Sequence, residues 1–142
     1  MRFNTRTSIP LAAAFMLAFA PLAEAKTMKF WGKLGAEGSA VSNATGQVSG
    51  TFNTKTDKVT YKITYSGLTG PVTVAHFHGP AGPGEDAAVM LPIPGPYKSG
   101  MTGTLTADAA TAKALLAGQT YINLHTAKYP KGETRAQVQF SK

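Results

Sequence analysis

Apolar and polar residues alternate one by one over several short stretches of this chain, most clearly between residues 59 and 65. The segment VTYKITY places an apolar or aromatic residue at every second position, with Thr or Lys between them. Because successive side chains of a β-strand point to opposite faces, this pattern predicts a strand with one buried and one exposed face. The polar segment TKTD before it predicts a hairpin turn to a preceding strand around 48–52.

Further short apolar segments, bounded by turn residues, predict the remaining strands. With the hairpin they give about eight strands. Short strands without a strand–helix–strand rhythm favour an all-β fold, either an antiparallel sandwich or a barrel. We expect the alternating apolar positions to be among the most buried, namely Tyr61, Ile63, Ile122, Leu124, Val138 and Phe140. The additional strands are predicted at 27–36, 71–78, 87–93, 100–107, 119–126 and 134–140.

One alanine-rich stretch interrupts the strands and predicts a single short helix near 107–117. Thr106 or Asp108 is suited to its N-cap, and Gly118 lies just past its end. Its apolar stripe consists of Ala112, Leu115 and Leu116.

The first 25 residues have the layout of a secretory signal peptide. Two arginines precede an apolar run, and Ala23 and Ala25 place small residues before a cleavage site. The run of about 16 residues is shorter than the roughly 20 that a membrane-spanning helix needs. We therefore predict a signal peptide over 1–25 and one domain over 26–142, exported to the periplasm or the extracellular space. No membrane span is predicted after cleavage.

Composition narrows the chemistry of the exported domain. The chain has no cysteine, which excludes disulfides and zinc sites built from thiolates. The net charge is +7, but the lysines are spread singly, so no basic block indicates nucleic-acid binding. We interpret the lysines as a solvated face, with attraction to acidic lipid headgroups or cell-surface polymers as the alternative. Trp31 and the tyrosines are interpreted as core and cross-strand pairs rather than as a sugar-binding face.

A longer series of motifs runs in order from about residue 27 to 140. A histidine pair leads into Gly-Pro-Ala, and a threonine-led helix ends in a Leu-x-x-Gly turn. An aromatic-x-Asn-x-His-Thr strand and a Pro-x-Gly-Glu-x-Arg-x-Gln segment follow. The residues are His76, His78, Gly79, Pro80 and Ala81; Thr106, Leu115 and Gly118; Tyr121, Asn123, His125 and Thr126; and Pro130, Gly132, Glu133, Arg135 and Gln137.

This series closely resembles the CHRD domain, a module first described as repeats in chordin. The resemblance implies an immunoglobulin-like antiparallel β-sandwich with Greek-key connections, of the kind found in bacterial exported single-domain CHRD proteins. Thr134 and Ala136 depart slightly from the family pattern, at positions where a β-branched residue and a glycine are commoner. The resemblance implies little about activity, since many bacterial members are exported domains of unassigned function.

The three histidines of the chain are the candidate site residues. His76 and His78 are two apart on a predicted strand, so they project from one face about 7 Å apart. With His125 on a neighbouring strand they would offer three imidazole nitrogens and an open fourth position, which suits copper or zinc. The alternative is a structural role, in which histidines at strand ends donate hydrogen bonds to loops such as GPAGPGED.

Strand parity decides whether the three histidines share a side. If Ala75 and Phe77 face the core, both histidines of the pair face away from it. If Ile122 and Leu124 face the core, His125 also faces away. The opposite register stays open, because Val72 and Val74 share parity with His76.

The sequence therefore predicts an exported, non-enzymatic binding or interaction module of unassigned ligand. The alternative is a copper- or zinc-binding periplasmic protein that uses His76, His78 and His125. No catalytic residue is predicted, since the chain lacks a cysteine nucleophile and a Gly-x-Ser-x-Gly turn. The expected partner is an unknown protein or cell-surface ligand rather than nucleic acid, and no cofactor beyond copper or zinc is implied.

Overall fold

The computed structural model describes residues 24–141, so the predicted signal peptide lies almost entirely outside the described residues. Within this range no helix is both long and apolar enough to cross a membrane. Nine strands and one helix follow in the order β1 (Thr27–Ala36), β2 (Thr45–Asn53), β3 (Lys58–Ser66), β4 (Val72–His78), β5 (Val89–Ile93), β6 (Met101–Thr106), α1 (Ala109–Leu116), β7 (Tyr121–Thr126), β8 (Thr134–Gln137) and β9 (Gln139–Phe140).

The strands form one continuous antiparallel sheet that is rolled into a nearly closed barrel. Its order is β5-β4-β7-β8-β1-β2-β3-β6, and β9 pairs with β1 beside this path. The first strand joins two halves of the sheet, one formed by β5, β4, β7 and β8 and the other by β1, β2, β3 and β6. Most of β1 pairs with β2, whereas its last two residues, Gly35 and Ala36, pair with β8. The prediction of an all-β antiparallel fold with one short helix is confirmed. The more specific immunoglobulin-like Greek key is not confirmed and stays a prediction.

Strand predictions hold with small differences at the C-terminal end of the sheet. The expected strand over 134–140 is divided at Val138 into β8 and β9, which pair with different parts of β1. This division raises the number of strands among the described residues from about eight to nine.

The core lies inside the rolled sheet, where the apolar half of each alternating strand points. Five of the six positions expected to be buried are at most 5% exposed, and Phe140 is only partly buried. Phe140 belongs to the two-residue β9 and packs edge to face on Phe30, with 6.2 Å between the ring centroids. The Phe30 ring in turn covers Gly50, where any side chain would overlap it. The five buried positions are Tyr61, Ile63, Ile122, Leu124 and Val138.

The helix forms where it is predicted, with Asp108 as its N-cap. The Asp108 carboxylate accepts a 2.8 Å hydrogen bond from the Thr111 N–H, and this bond lowers the pKa of Asp108. Gly118 has a positive φ of 69° just past the helix end, as a left-handed terminating residue requires. The predicted apolar stripe is wrong at Leu116, which is 49% exposed. The helix instead buries Thr111, Ala114 and Leu115.

Candidate metal centre

The three histidines lie on two neighbouring antiparallel strands, β4 and β7. In their register His76 is opposite Asn123 and His78 is opposite Tyr121, and His125 is opposite Val74, two pairs beyond His76. The residues between them are fully buried in the core, so all three histidines project from the opposite side of the sheet. Of the two registers that the sequence left open, the one that places the three histidines on a common side therefore forms. The core-facing residues are Ala75, Phe77, Ile122 and Leu124.

Although they point away from the core, two of these histidines are buried. His78 is 8% exposed and His125 is 7% exposed. The loop before β5 reaches His78 through the Ala87 carbonyl, and the loop after β7 reaches His125 through the Pro130 carbonyl. The loops before β5 and after β7 thus cover the outer face of β4 and β7 around His78 and His125 and shield it from solvent.

The hydrogen bonds of the two buried histidines define their proton positions. Nδ1 of His78 lies 2.9 Å from the Ala87 carbonyl oxygen, and Nδ1 of His125 lies 2.9 Å from that of Pro130. A carbonyl only accepts, so each Nδ1 donates its proton and each neutral ring keeps a lone pair on Nε2. The sequence-based expectation that histidines tether the loops is confirmed for these two residues.

The nitrogens that remain have few partners of their own. Nε2 of His78 and Nδ1 of His76 are buried and make no hydrogen bond to any described residue. Nε2 of His125 lies 3.0 Å from Oδ1 of Asn123. A lone pair needs a donor, so the Asn123 amide satisfies this nitrogen when it is turned to present its NH₂ group.

The three rings converge on one point of the face. One nitrogen from each histidine lies within 4.8 Å of the corresponding nitrogens of the other two. The ring centroid of His76 lies 5.4 Å from that of His78 and 5.2 Å from that of His125. A common ion at about 2.0–2.1 Å from each nitrogen needs mutual distances of roughly 3–4 Å. The separations within the cluster extend to 4.8 Å, somewhat above this spacing, and none exceeds the roughly 8 Å that would exclude a shared ion.

The surroundings favour the neutral form of His76 and orient the ring of His78. Burial, together with the neighbouring His125 and His78, lowers the pKa of His76. The neutral form that this favours is the form that ligates metals. The His78 ring stacks on Tyr121 with 5.0 Å between centroids, and the Arg135 guanidinium lies 3.5 Å from the centroid of the Tyr121 ring.

Arg135 ties the covering loops together, and sequence reasoning missed its partner Glu37. Its Nη1 lies 3.4 Å from Oε1 of Glu37 and donates to the Glu85 carbonyl at 2.9 Å. Burial raises the pKa of Glu37, although the nearby Arg135 opposes this, and Oε2 of Glu37 is buried without a partner among residues 24–141. Arg135 forms no ion pair with Glu133, its near neighbour in sequence. No local pattern around Glu37 signals its role, because Arg135 is 98 positions away.

Glu133 instead anchors three loops through a fully buried carboxylate. Its Oε1 accepts hydrogen bonds from Ser42 Oγ at 2.7 Å and from the Thr69 N–H at 2.9 Å. Its Oε2 accepts from the hydroxyls of Thr69 and Thr126, both at 2.7 Å. Desolvation raises the pKa of Glu133, but these donors outweigh it and the net pKa is lowered.

Gly132 lets the loop after β7 close over the site. Its φ is +123°, a backbone conformation that other residues rarely adopt. A Cβ atom there would also lie 3.0 Å from both Nδ2 of Asn123 and Cγ of Glu37. Glycine at this position therefore lets the cover approach the residue that holds His125.

The residues of the site fall within a recognised family. A family model of the CHRD domain matches residues 33–138, which is most of the chain. The chain belongs to the CHRD domain family. No curated protein and no solved structure gives a significant match.

A cavity of about 490 Å³ opens beside the histidines of this CHRD domain. His78, Tyr121 and Asn123 form part of its wall, and Glu37 lines it as well. The exposed Lys128 and Lys131 belong to the same lining, so the cavity connects the cluster with the surface.

Proposed function

We propose that this CHRD domain is an exported, non-enzymatic binding module whose ligand is one copper or zinc ion held by His76, His78 and His125. The observation that carries the proposal is the convergence of one nitrogen from each ring to within 4.8 Å. Three imidazoles and an accessible fourth position are a donor set that suits either metal.

The loop contacts support a ligand role rather than compete with it. A metal-ligating histidine usually donates its other N–H to a carbonyl or carboxylate, which fixes the tautomer and the ring orientation. The Ala87 and Pro130 carbonyls accept this kind of bond from Nδ1 of His78 and His125. Both rings are therefore already in the tautomer that leaves Nε2 available.

The unpartnered nitrogens give a second line of support. A buried polar atom without a hydrogen bond costs roughly 1–3 kcal/mol, and two ring nitrogens of the cluster are in this state. A bound ion would satisfy both Nδ1 of His76 and Nε2 of His78. Binding would also require Asn123 to release Nε2 of His125, so Asn123 acts as a competitor for the third ligand.

Export and the absence of catalysis belong to the same proposal. The layout of residues 1–25 supports export. The cluster is surrounded by tyrosine, asparagine and loop carbonyls, with no cysteine in the chain to act as a nucleophile. Retention of a metal ion is the role that these residues favour.

The test is stoichiometric metal binding by the untagged protein beginning at Lys26. After incubation with Cu²⁺ or Zn²⁺ and dialysis, elemental analysis should give one equivalent of metal, and Cu²⁺ should bind more tightly than Zn²⁺. His78→Ala and His125→Ala should each lose the bound metal. The matched control is Thr73→Ala, an exposed position on the same strand, which should bind as the wild type does.

A thermal measurement separates specific from loose binding. Metal at a hundredfold excess over its Kd should stabilise the wild type by about 2.7 kcal/mol and leave His78→Ala unchanged. Asn123→Ala should bind at least as tightly as the wild type, because it frees the third nitrogen. Wild-type protein that retains no metal, or His78→Ala that retains a full equivalent, would overturn the proposal.

A further inference from the structure

The other half of the sheet has an outer face that no loop within residues 24–141 covers. It is formed by the outward-pointing residues of β1, β2, β3 and β6, and we refer to it as the open face. The register aligns these residues in rows that run across the strands. Neighbouring residues of a row lie on adjacent strands, which are about 4.8 Å apart. One row is Gln139, Trp31, Ser49, Lys62 and Thr102, and the next is Lys29, Thr51, Thr60 and Thr104.

The open face is cationic. Lys29, Lys33 and Lys62 are exposed on it and form no ion pair with any carboxylate among residues 24–141. Lys58 lies at its end and donates from Nζ to the Thr106 hydroxyl at 2.8 Å. The strands contribute only lysine, threonine, serine, glutamine and tryptophan to the aligned rows. The face therefore carries positive charge and hydroxyl groups without a compensating acid.

Trp31 is the one large apolar side chain on this face, and it is 51% exposed. Its interpretation as a core residue is therefore wrong. Lys29 and Lys33 lie on either side of it along β1, and Ser49 lies opposite it on β2. Next to Ser49 a shallow depression of about 390 Å³ crosses β2, β3 and β6, and its lining includes Lys62 and Thr102. An aromatic ring thus stands at one end of a hydroxyl-lined, positively charged groove.

We infer that the open face binds an extended acidic polysaccharide whose sugars carry carboxylates. The Trp31 ring offers a flat apolar surface to one sugar ring, and the threonine and serine hydroxyls offer both donors and acceptors to sugar hydroxyls. The lysines offer mobile positive charges to the carboxylates. The rows span several strands, so the face suits a linear chain better than a compact ligand.

Other anionic partners fit this face less well. Insertion into a lipid bilayer needs several apolar side chains, and this face presents one. Single-stranded nucleic acid is held by several stacking aromatics together with arginine. The one arginine within residues 24–141 is Arg135, which is bound to Glu37 and loop carbonyls in the other half of the sheet.

The test uses the same untagged protein and polygalacturonate oligosaccharides as the probe, with titration calorimetry at low salt. We expect saturable binding that weakens as salt is added, and no binding of neutral dextran. Trp31→Ala should weaken binding roughly tenfold, as expected for an aromatic anchor worth about 1.4 kcal/mol. Lys29→Gln combined with Lys33→Gln should weaken it by a similar factor.

The matched control removes the same charge from elsewhere. Lys98→Gln combined with Lys113→Gln changes exposed lysines outside the open face and should alter the affinity less than twofold. If both double variants lost the same affinity for the oligosaccharide, binding would depend only on the net charge of the protein. That result would overturn the inference. Failure of the wild type to bind, an unchanged affinity of Trp31→Ala, or binding to phosphatidylglycerol vesicles in place of polygalacturonate would also overturn it. Since His78→Ala should bind the oligosaccharide normally, this outcome is independent of the metal proposal.

Discussion

In both halves of the sheet, side chains alternate between the core and the outer face. The outer face is largely buried by loops in one half and largely exposed in the other. On β4 and β7 the outward residues are histidine, tyrosine and asparagine, and loops bury most of them. On β1, β2 and β3 the outward residues are mostly lysine, threonine and serine, with Trp31 among them, and most stay exposed. All six residues of β7 are buried, whereas β1 buries only every second residue along its middle.

The difference shows that alternation reports the direction of a side chain, not its final burial. A position opposite the core is exposed only if no other segment folds over it. In the covered half, residues distant in sequence supply that cover and its hydrogen bonds, as Glu37 does for Arg135. In the open half, no segment among residues 24–141 folds over the outer face, so its side chains stay largely exposed.

The largest expected effects lie on the core side, where the two halves should not differ. Ile63→Ala in β3 and Leu124→Ala in β7 should each reduce the free energy of unfolding by roughly 2–5 kcal/mol, since both side chains are fully buried. Urea denaturation followed by tryptophan fluorescence measures both. A loss below about 1 kcal/mol at either position would mean that the inner and outer faces of that strand are reversed.

The second-largest effect is expected at Glu133, whose hydrogen bonds hold the loops near the histidines. Glu133→Gln should cost roughly 2–4 kcal/mol, because one carboxylate oxygen is replaced by a donor that faces existing donors. Glu85→Gln in the exposed loop is the matched control and should change stability by less than about 0.5 kcal/mol.

The same carboxylate predicts a pH dependence. The folded-state pKa of Glu133 is below its ordinary value of 4.5, so its contribution to stability is complete above that pH. The contribution should be lost as the pH falls from about 4.5 through the folded-state pKa. Acid titration of the unfolding free energy should therefore be steeper for the wild type than for Glu133→Gln in this window. Equal slopes in the two proteins would contradict the prediction.

Arg135→Lys should have an intermediate effect, at roughly 1–3 kcal/mol. Lysine keeps the charge but loses the planar group that lies over Tyr121 and contacts Glu37 and the loop carbonyls together. Lys62→Arg on the open face is the reverse exchange and should be nearly neutral. Thermal unfolding of both variants checks this pair, and a neutral Arg135→Lys would show that the cover does not need the guanidinium.

The smallest effects are expected from replacing a threonine by valine, once on the covered outer face and once on the open face. Thr126→Val removes a buried hydroxyl that donates to Glu133, and it should cost about 1–2 kcal/mol. Thr104→Val changes an exposed threonine of the open face and should stay within about 0.5 kcal/mol of the wild type. Equal values in urea denaturation would remove the energetic distinction between the two faces.

The sequence was sufficient to predict the strands and the helix, because both depend on local periodicity. It left two registers open for the histidine pair, and the structure has the one in which Ala75 and Phe77 face the core. It failed at Leu116 and Phe140, whose burial depends on what lies opposite a helix face or a two-residue edge strand. It also missed the contacts of Glu37 with Arg135. Those contacts join segments about a hundred positions apart, and no short pattern in either segment encodes them.

The position of β1 has a consequence for how this chain acquires its structure. The first strand pairs with β2, its neighbour in sequence, but its other pairings are with β8 and β9 near the end of the described chain. The barrel can therefore close only after the last strands are available, and such long-range pairing makes folding slow. A chain that has not yet been released in full from the ribosome would therefore hold an unfinished sheet, with one edge of β1 still unpaired.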